Sequence, residues 1–277
     1  MSDTRPRVAV IGAGAFGRNH LRVVRESSAA DLAGVFDTDP ARCSAAAAEF
    51  GCPAFASLDE VPAAASAAIV AVPTTHHNAV ACRLMDAGLD VLVEKPIAVS
   101  TEEARQMVSA AAARNRILQV GHLERFNPAV EALSRIVNHP LFFEIHRLSV
   151  FTPRSLDVDV ISDLMIHDLD IVLSMTGVMP EEVRAAGISI LSEKVDIASV
   201  RLAFPGGAVA NLTASRVSTE RVRKLRLFQP RQYISVDYAR RDCVAISVGD
   251  GRQVNIAPQK VEQDRKSTRL NSSHVSQ

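Results

Sequence analysis

Short apolar runs and helical periodicities alternate over the first 120 residues. Residues 8–11, Val8-Ala9-Val10-Ile11, form a continuous apolar run of the kind a fully buried parallel strand shows. It stops at a glycine turn, and a helical pattern opens from Phe16 through Val24. A second run, 32–36, ends in Asp37, and an alanine-rich helix is expected over 40–50, broken by Gly51-Cys52-Pro53 before a short strand candidate at 54–56. Buried strands follow at 67–72, 90–94 and 117–120, with helices leading from 73–77 through Met85 to Gly88 and over 101–114. This alternation predicts a doubly wound parallel sheet whose ligands sit beyond the carboxyl ends of the strands. From Gly121 the texture changes. Pro128 opens a helix to about 138, 142–150 reads as a strand, and 160–175 reads as a long helix ended by Gly177. Runs at 195–204, 208–217, 222–228 and 233–238 are then strands without intervening helices, which implies an antiparallel sheet with one buried face and one available to substrate or a second subunit. The expected fold is thus α/β: a doubly wound parallel sheet over residues 1–121, then an α+β domain with a mostly antiparallel open sheet over 122–263.

Composition narrows the function more than the fold. Thirty-one Lys and Arg balance 31 Asp and Glu, so the basic footprint of a nucleic-acid or membrane-surface binder is missing and a small-molecule partner is expected. Cys43, Cys52, Cys82 and Cys243 are scattered without a C-x-x-C pair, and no cationic, apolar leader precedes Val8, which together read as a cytoplasmic chain with inert thiols. No segment reaches the apolar length of a membrane span. Residues 264–274 resemble the translated read of a sequencing-library adapter, so 264–277 is expected to be non-native and the native sequence to stop near Gln263.

The chemistry is concentrated at the strand ends. In Gly12-Ala13-Gly14-Ala15-Phe16-Gly17, the first glycine permits a tight turn, the second lets bare backbone approach a pyrophosphate, and the third lets the helix lie against the strand. Asp37 stands where a carboxylate accepts from adenosine ribose hydroxyls, and with Thr38 beside it this favours NAD over NADP; Arg42 leaves NADP open. Glu94-Lys95-Pro96 follows a strand, so Lys95 either stabilises a substrate oxygen near the nicotinamide or merely starts a surface loop. Asp163 and His167 lie four apart on a predicted helix, with Asp170 continuing that face. Such a pair can act as a base with its orienting carboxylate, as a surface ion pair, or as half of a metal site for which no nearby cluster supplies a third ligand. The basic run Arg221, Arg223, Lys224, Arg226 could neutralise a diphosphate or simply be a solvated sheet face.

Taken together, the glycine loop, Pro73 with His77, Glu94-Lys95-Pro96, Gly121 through Arg125-Phe126-Asn127-Pro128, and Asp163 through His167 to Asp170 resemble the glucose-fructose oxidoreductase, inositol dehydrogenase and MocA family over residues 7–263. The resemblance implies an N-terminal NAD(P)-binding Rossmann domain and a C-terminal sheet buried in a homodimer or homotetramer. It implies Lys95, Asp163 and His167 at the substrate hydroxyl, Pro73, Thr74, His77 and Glu94 near the cofactor, and Arg125, Asn127 and Asp170 toward the substrate. Longer patterns at 163–170, 211–216 and 223–229 resemble the branch that oxidises UDP-N-acetylglucosamine at carbon 3 for amino-sugar and lipid A synthesis. Other sugar or polyol dehydrogenases, an NAD-dependent glycosidase and a non-catalytic NAD sensor are the alternatives. Leu164-Met165 departs from the glycine that many members carry before the histidine.

Overall fold

The computed structural model describes residues 5–152, 158–249 and 254–258. The expected non-native tail at 264–277 lies outside the described residues. The chain divides into two compact units between Gly121 and His122.

In the first unit, β1 (Arg7–Ile11), α1 (Ala15–Glu26), β2 (Asp31–Phe36), α2 (Pro40–Phe50), a single turn α3 (Val61–Ala64), β3 (Ala67–Val70), α4 (His77–Asp86), β4 (Asp90–Val93), α5 (Thr101–Arg114) and β5 (Leu118–Val120) follow one another. The strands form a parallel sheet in the order β2-β1-β3-β4-β5. The run that opens the chain is apolar throughout because successive side chains feed opposite layers. Val8 and Val10 pack with Leu21, Val35, Ala46 and Phe50, whereas Ala9 and Ile11 pack with Val70, Leu84, Met85 and Met107. Helix boundaries follow their chemistry: Asp39 accepts from the Ala41 and Arg42 amides to start α2, and left-handed Gly51 ends it.

The strand expected at 54–56 shrinks to one parallel bridge between Val35 and Ala54. Pro53 has no N–H to extend a ladder, and the Phe55 ring is drawn inward to Gly34, where a Cβ would lie 2.6 Å from it. Counting that bridge, the strand order is that of dinucleotide-binding folds, and the chain reverses direction across the sheet between β1 and β3, where such folds bind their ligand.

The second unit contains α6 (Pro128–Ile136), β6 (Phe142–Val150), a π-helical turn (Ile161–Met165) running straight into α7 (Ile166–Thr176), and then β7 (Glu182–Ile188), β8 (Ile197–Ala203), β9 (Val209–Ser218), β10 (Val222–Gln229), β11 (Gln232–Asp237), β12 (Asp242–Val248) and β13 (Val254–Pro258). Its sheet has the order β13-β12-β11-β10-β6-β9-β8-β7 and is antiparallel except where β6 meets β9. One face buries Phe143, Ile145, Leu212, Leu225, Leu227 and Ile234 with Leu133, Ile171 and Val172 of the helices. The other face is open, and there Phe142, Phe228 and Tyr233 stack with ring centroids 5.9 and 5.1 Å apart. The sequence pattern had not marked β7, β12 or β13. β7 is exposed along its whole length, so nothing forces the alternation by which a strand is recognised. Among the described residues no helix is long and apolar enough to cross a membrane.

Candidate active site

In the first unit the candidate side chains stand at the carboxyl ends of parallel strands. The glycine loop follows β1. Gly12 has φ +97°, and a Cβ there would lie 2.6 Å from the Ala71 carbonyl oxygen; a Cβ on Gly17 would collide with the Gly12 carbonyl. Both positions therefore require glycine. Among the described residues a Cβ on Gly14 would meet nothing within 4 Å, so the outer side of the loop is open, and no side chain caps the amino end of α1. Ala13 is buried, whereas Ala15 and Phe16 are exposed on the first turn of that helix. Open backbone at an uncapped helix start suits a pyrophosphate, whose charge meets amide dipoles rather than side chains.

Asp37 closes this cradle from the end of β2. Its Oδ2 accepts from the Ala13 amide at 2.7 Å and its Oδ1 from the Asp39 amide at 2.9 Å, so the carboxylate shapes the loop and keeps further lone pairs for a ribose. Arg42 stands 3.7 Å from Asp37 and 3.4 Å from Asp39, and Thr38 is exposed beside them. These residues fit a dinucleotide.

Past β3, Pro73 is exposed and Thr74 half-buried, while His77 is 1 % exposed with its ring nitrogens each 2.9 Å from a carbonyl, those of Val72 and Pro96. The ring ties the segment after β3 to the segment after β4. Glu94 directly follows β4, 8 % exposed, its Oε1 2.6 Å from Nε2 of His20 on α1 and its Oε2 accepting from the Lys95 amide at 3.2 Å. Burial pushes the Glu94 carboxyl up, but the His20 contact and the Lys95 amide outweigh it and hold the group below the usual carboxylate range. Lys95 is half-buried, and the Lys95–Pro96 peptide is cis. His20 carried no sequence signal, because its partner is 74 residues away.

In the second unit, Asp163 lies within the π-helical turn and His167 in the first turn of α7, both half-buried. Helical backbone is continuous between them, but five residues take the wider π form, a distortion common where a helix carries function. Asp170 is gripped by Arg125 through two bonds of 2.7 and 2.6 Å. Asn127 is 4 % exposed, and its side chain accepts from the Ala129 amide to start α6 while reaching the Tyr238 carbonyl at 3.4 Å.

The second unit also holds a buried pair that the sequence reading missed. Asp168, next to His167, is 2 % exposed and holds Arg147 of β6 through bonds of 2.7 and 2.8 Å. Glu124 adds a third contact to Arg147 at 3.4 Å, and the guanidinium lies 5.3 Å over the Tyr238 ring. Burial opposes the Arg147 charge, but Asp168 and then Glu124 more than restore it, so its pKa lies above the ordinary arginine value. A signal existed. Arg147 continues the inward series Phe143, Ile145, and a charge in such a series demands a buried partner. The same logic would have found Arg216, at the end of the inward series Ala210, Leu212, Ala214, which meets Asp196 at 2.7 Å.

The four cysteines form no disulfide, and burial pushes the Cys243 thiol up to about 11. Among the described residues no three His, Cys, Asp or Glu side chains converge as metal ligands.

Comparison with known proteins gives the family. Residues 6–122 match the oxidoreductase family with an NAD-binding Rossmann fold, and residues 139–234 match the GFO/IDH/MocA C-terminal domain. A UDP-N-acetylglucosamine 3-dehydrogenase of Acidithiobacillus ferrooxidans is 43% identical over 233 residues, covering 84% of this chain and 74% of that protein. A solved structure of UDP-N-acetylglucosamine 3-dehydrogenase GnnA from that organism superposes with a TM-score of 0.87 at 38% identity, covering 98% of this chain and 90% of that one. An inositol 2-dehydrogenase of Rhizobium meliloti is 26% identical over 263 residues, covering 88% of this chain and 79% of that protein. The two matched domains and the 43% identity over 84% of the chain make this chain a member of the Gfo/Idh/MocA family, an NAD-dependent oxidoreductase acting on CH–OH groups.

Proposed function

We propose that the chain oxidises one hydroxyl of a sugar nucleotide to a ketone, carbon 3 of UDP-N-acetylglucosamine being the first substrate to test. The observation that carries this reading is the 43% identity to a UDP-N-acetylglucosamine 3-dehydrogenase over a length that includes Lys95, Asp163 and His167. NAD, when bound, supplies the hydride acceptor. Gly12, Ala13, Gly14, Ala15, Phe16 and Gly17 hold its pyrophosphate, Asp37 and Thr38 its ribose, and Pro73 and Thr74 line the approach to its nicotinamide. His77 fixes those strand ends from behind. His167 takes the hydroxyl proton, Asp163 orients the imidazole, and Lys95 stabilises negative charge on the oxygen as the proton leaves. Glu94, held by His20, positions Lys95 through the backbone. Arg125 and Asp170 hold one another and brace the sugar side of α7, and Asn127 fixes the start of α6 below them.

The protein works in the cytoplasm as a homodimer or homotetramer joined through the open face of the second sheet, where Phe142, Phe228 and Tyr233 cluster. Its ketone product suits an aminotransferase that makes a diamino sugar for lipid A. The similarity to inositol 2-dehydrogenases supports a second reading, polyol oxidation. The deciding experiment follows NADH absorbance with UDP-N-acetylglucosamine and with myo-inositol as alternative substrates, and assays for released UDP. Net NADH from the sugar nucleotide with no UDP released is expected. Turnover of inositol alone, or release of UDP without net NADH, overturns the reading.

A further inference from the structure

The basic run at 221–226 divides between the two faces of its sheet. Lys224 and Arg226 point to the open face, where Arg226 meets Glu144 at 3.0 Å. Arg223 points to the helix-covered face with Leu225 and Leu227, directly across from Arg147 in the pairing of β10 with β6. Arg147 is already neutralised by Asp168 and Glu124. Arg223 is not. Among the described residues its guanidinium has no hydrogen bond and no ion pair, and its Nε is buried without a partner. Three guanidinium groups, Arg147, Arg221 and Arg223, here face two carboxylates, Glu124 and Asp168. Burial, and then Arg147, pull the Arg223 pKa below the ordinary arginine value, which is the mark of a cation held where the fold alone disfavours it. A second orphan lies alongside: among the described residues the buried Tyr238 hydroxyl has no hydrogen-bond partner, and the Tyr238 amide donates to the Arg223 carbonyl at 3.0 Å.

A half-buried guanidinium beside another arginine, with no hydrogen bond or ion pair of its own among the described residues and two carboxylates shared among three guanidinium groups, is costly unless an anion completes it. Arg147 fixes Asp168, the residue after His167, so Arg223 stands one strand away from the anchor of the helix that carries the proposed base. We propose that Arg223 binds the diphosphate of the substrate, the fork of its guanidinium matching phosphoryl oxygens. The inference rests on the sugar-nucleotide reading only for what carries the diphosphate.

The test titrates inorganic pyrophosphate, and separately UDP, into the whole protein saturated with NAD, so that the glycine cradle is already filled. Wild type, Arg223→Gln and Arg223→Lys are compared by calorimetry. The glutamine variant should bind both anions at least ~10-fold more weakly, the worth of a charged hydrogen bond, with lysine falling between. With UDP-N-acetylglucosamine as substrate, KM should rise by a similar factor while kcat changes little. Because the guanidinium has no hydrogen bond or ion pair among the described residues, Arg223→Gln should melt no lower than wild type. Equal binding by wild type and Arg223→Gln, binding by neither, or a lower melting temperature with unchanged KM overturns the proposal. The two readings can fail separately. NADH formation with an unchanged KM in Arg223→Gln removes this inference and leaves the dehydrogenase, whereas Arg223-dependent pyrophosphate binding without oxidation of the sugar nucleotide does the reverse.

Discussion

Replacing Asp168 with asparagine removes the charge that holds Arg147 in the second unit. Wild type makes two charge-assisted bonds here, 2.7 and 2.8 Å, between groups 2 % exposed. Asparagine presents one oxygen and one NH2 to a guanidinium that can only donate, so one bond is lost and a donor faces a donor. Glu124, at 3.4 Å, remains as partial compensation. Breaking a buried pair from one side costs ~3–5 kcal/mol, and with Glu124 in place the lower end, ~3 kcal/mol, is expected. For a domain of this size that is a fall in Tm of ~6–12 °C, from a total stability of only ~5–15 kcal/mol. Urea unfolding with a fluorophore or near-ultraviolet signal from the second unit measures it, with NAD affinity as a control on the first. A companion variant, Arg147→Met with Asp168→Leu, removes both charges and should recover most of the loss. A loss below ~1 kcal/mol in Asp168→Asn, or a double variant as unstable as the single one, would refute the claim that an unpaired Arg147 is the source of the cost.

Other predictions concern the cofactor side and the chemistry. Asp37→Ala should weaken NAD more than NADP, and because the carboxylate also holds the Ala13 amide both affinities should fall; equal losses for the two cofactors count against a ribose contact. Lys95→Ala and His167→Ala should each reduce kcat ~100-fold or more with NADH affinity nearly unchanged, as stopped-flow and fluorescence titration can show. Gly12→Ala forces a Cβ to 2.6 Å from the Ala71 carbonyl at positive φ and should abolish NAD binding while the second unit stays folded, as followed by circular dichroism. Glu94 has a depressed pKa, so its contribution to stability is present above the ordinary glutamate value of ~4.3 and is lost as pH falls through the lower value of the folded chain. Wild type should therefore exceed Glu94→Gln in stability at pH 7, and urea midpoints should converge in acid.

The first unit was legible because each of its signals is local. A run such as Val8 to Ile11 feeds two layers at once, and the glycine motif lies within one strand-turn-helix, where Gly17 is constrained by the Gly12 carbonyl, although Gly12 itself is also pressed by Ala71 just past β3. What escaped depended on long separations: His20 with Glu94, Asp168 with Arg147, Asp196 with Arg216. Asp163, His167 and Asp170 were visible from helical spacing, but spacing could not show that the first of them sits in a wider π turn. Nor could it show that Asp170 is already gripped by Arg125. Edge strands such as β7 stayed hidden because an exposed strand imposes no pattern on its residues.

The clasp of Asp37 on the Ala13 and Asp39 amides bears on how fast and at what entropic cost the nucleotide arrives. A loop drawn into its working shape by its own chain has already given up most of the backbone freedom that binding would otherwise remove. Docking should therefore resemble the meeting of two rigid bodies, with a single-phase association trace and a heat-capacity change set by the apolar surface covered rather than by folding of the loop. Cutting the clasp should add a slower, concentration-independent phase to the same trace, because the loop must then find its shape before or after the encounter.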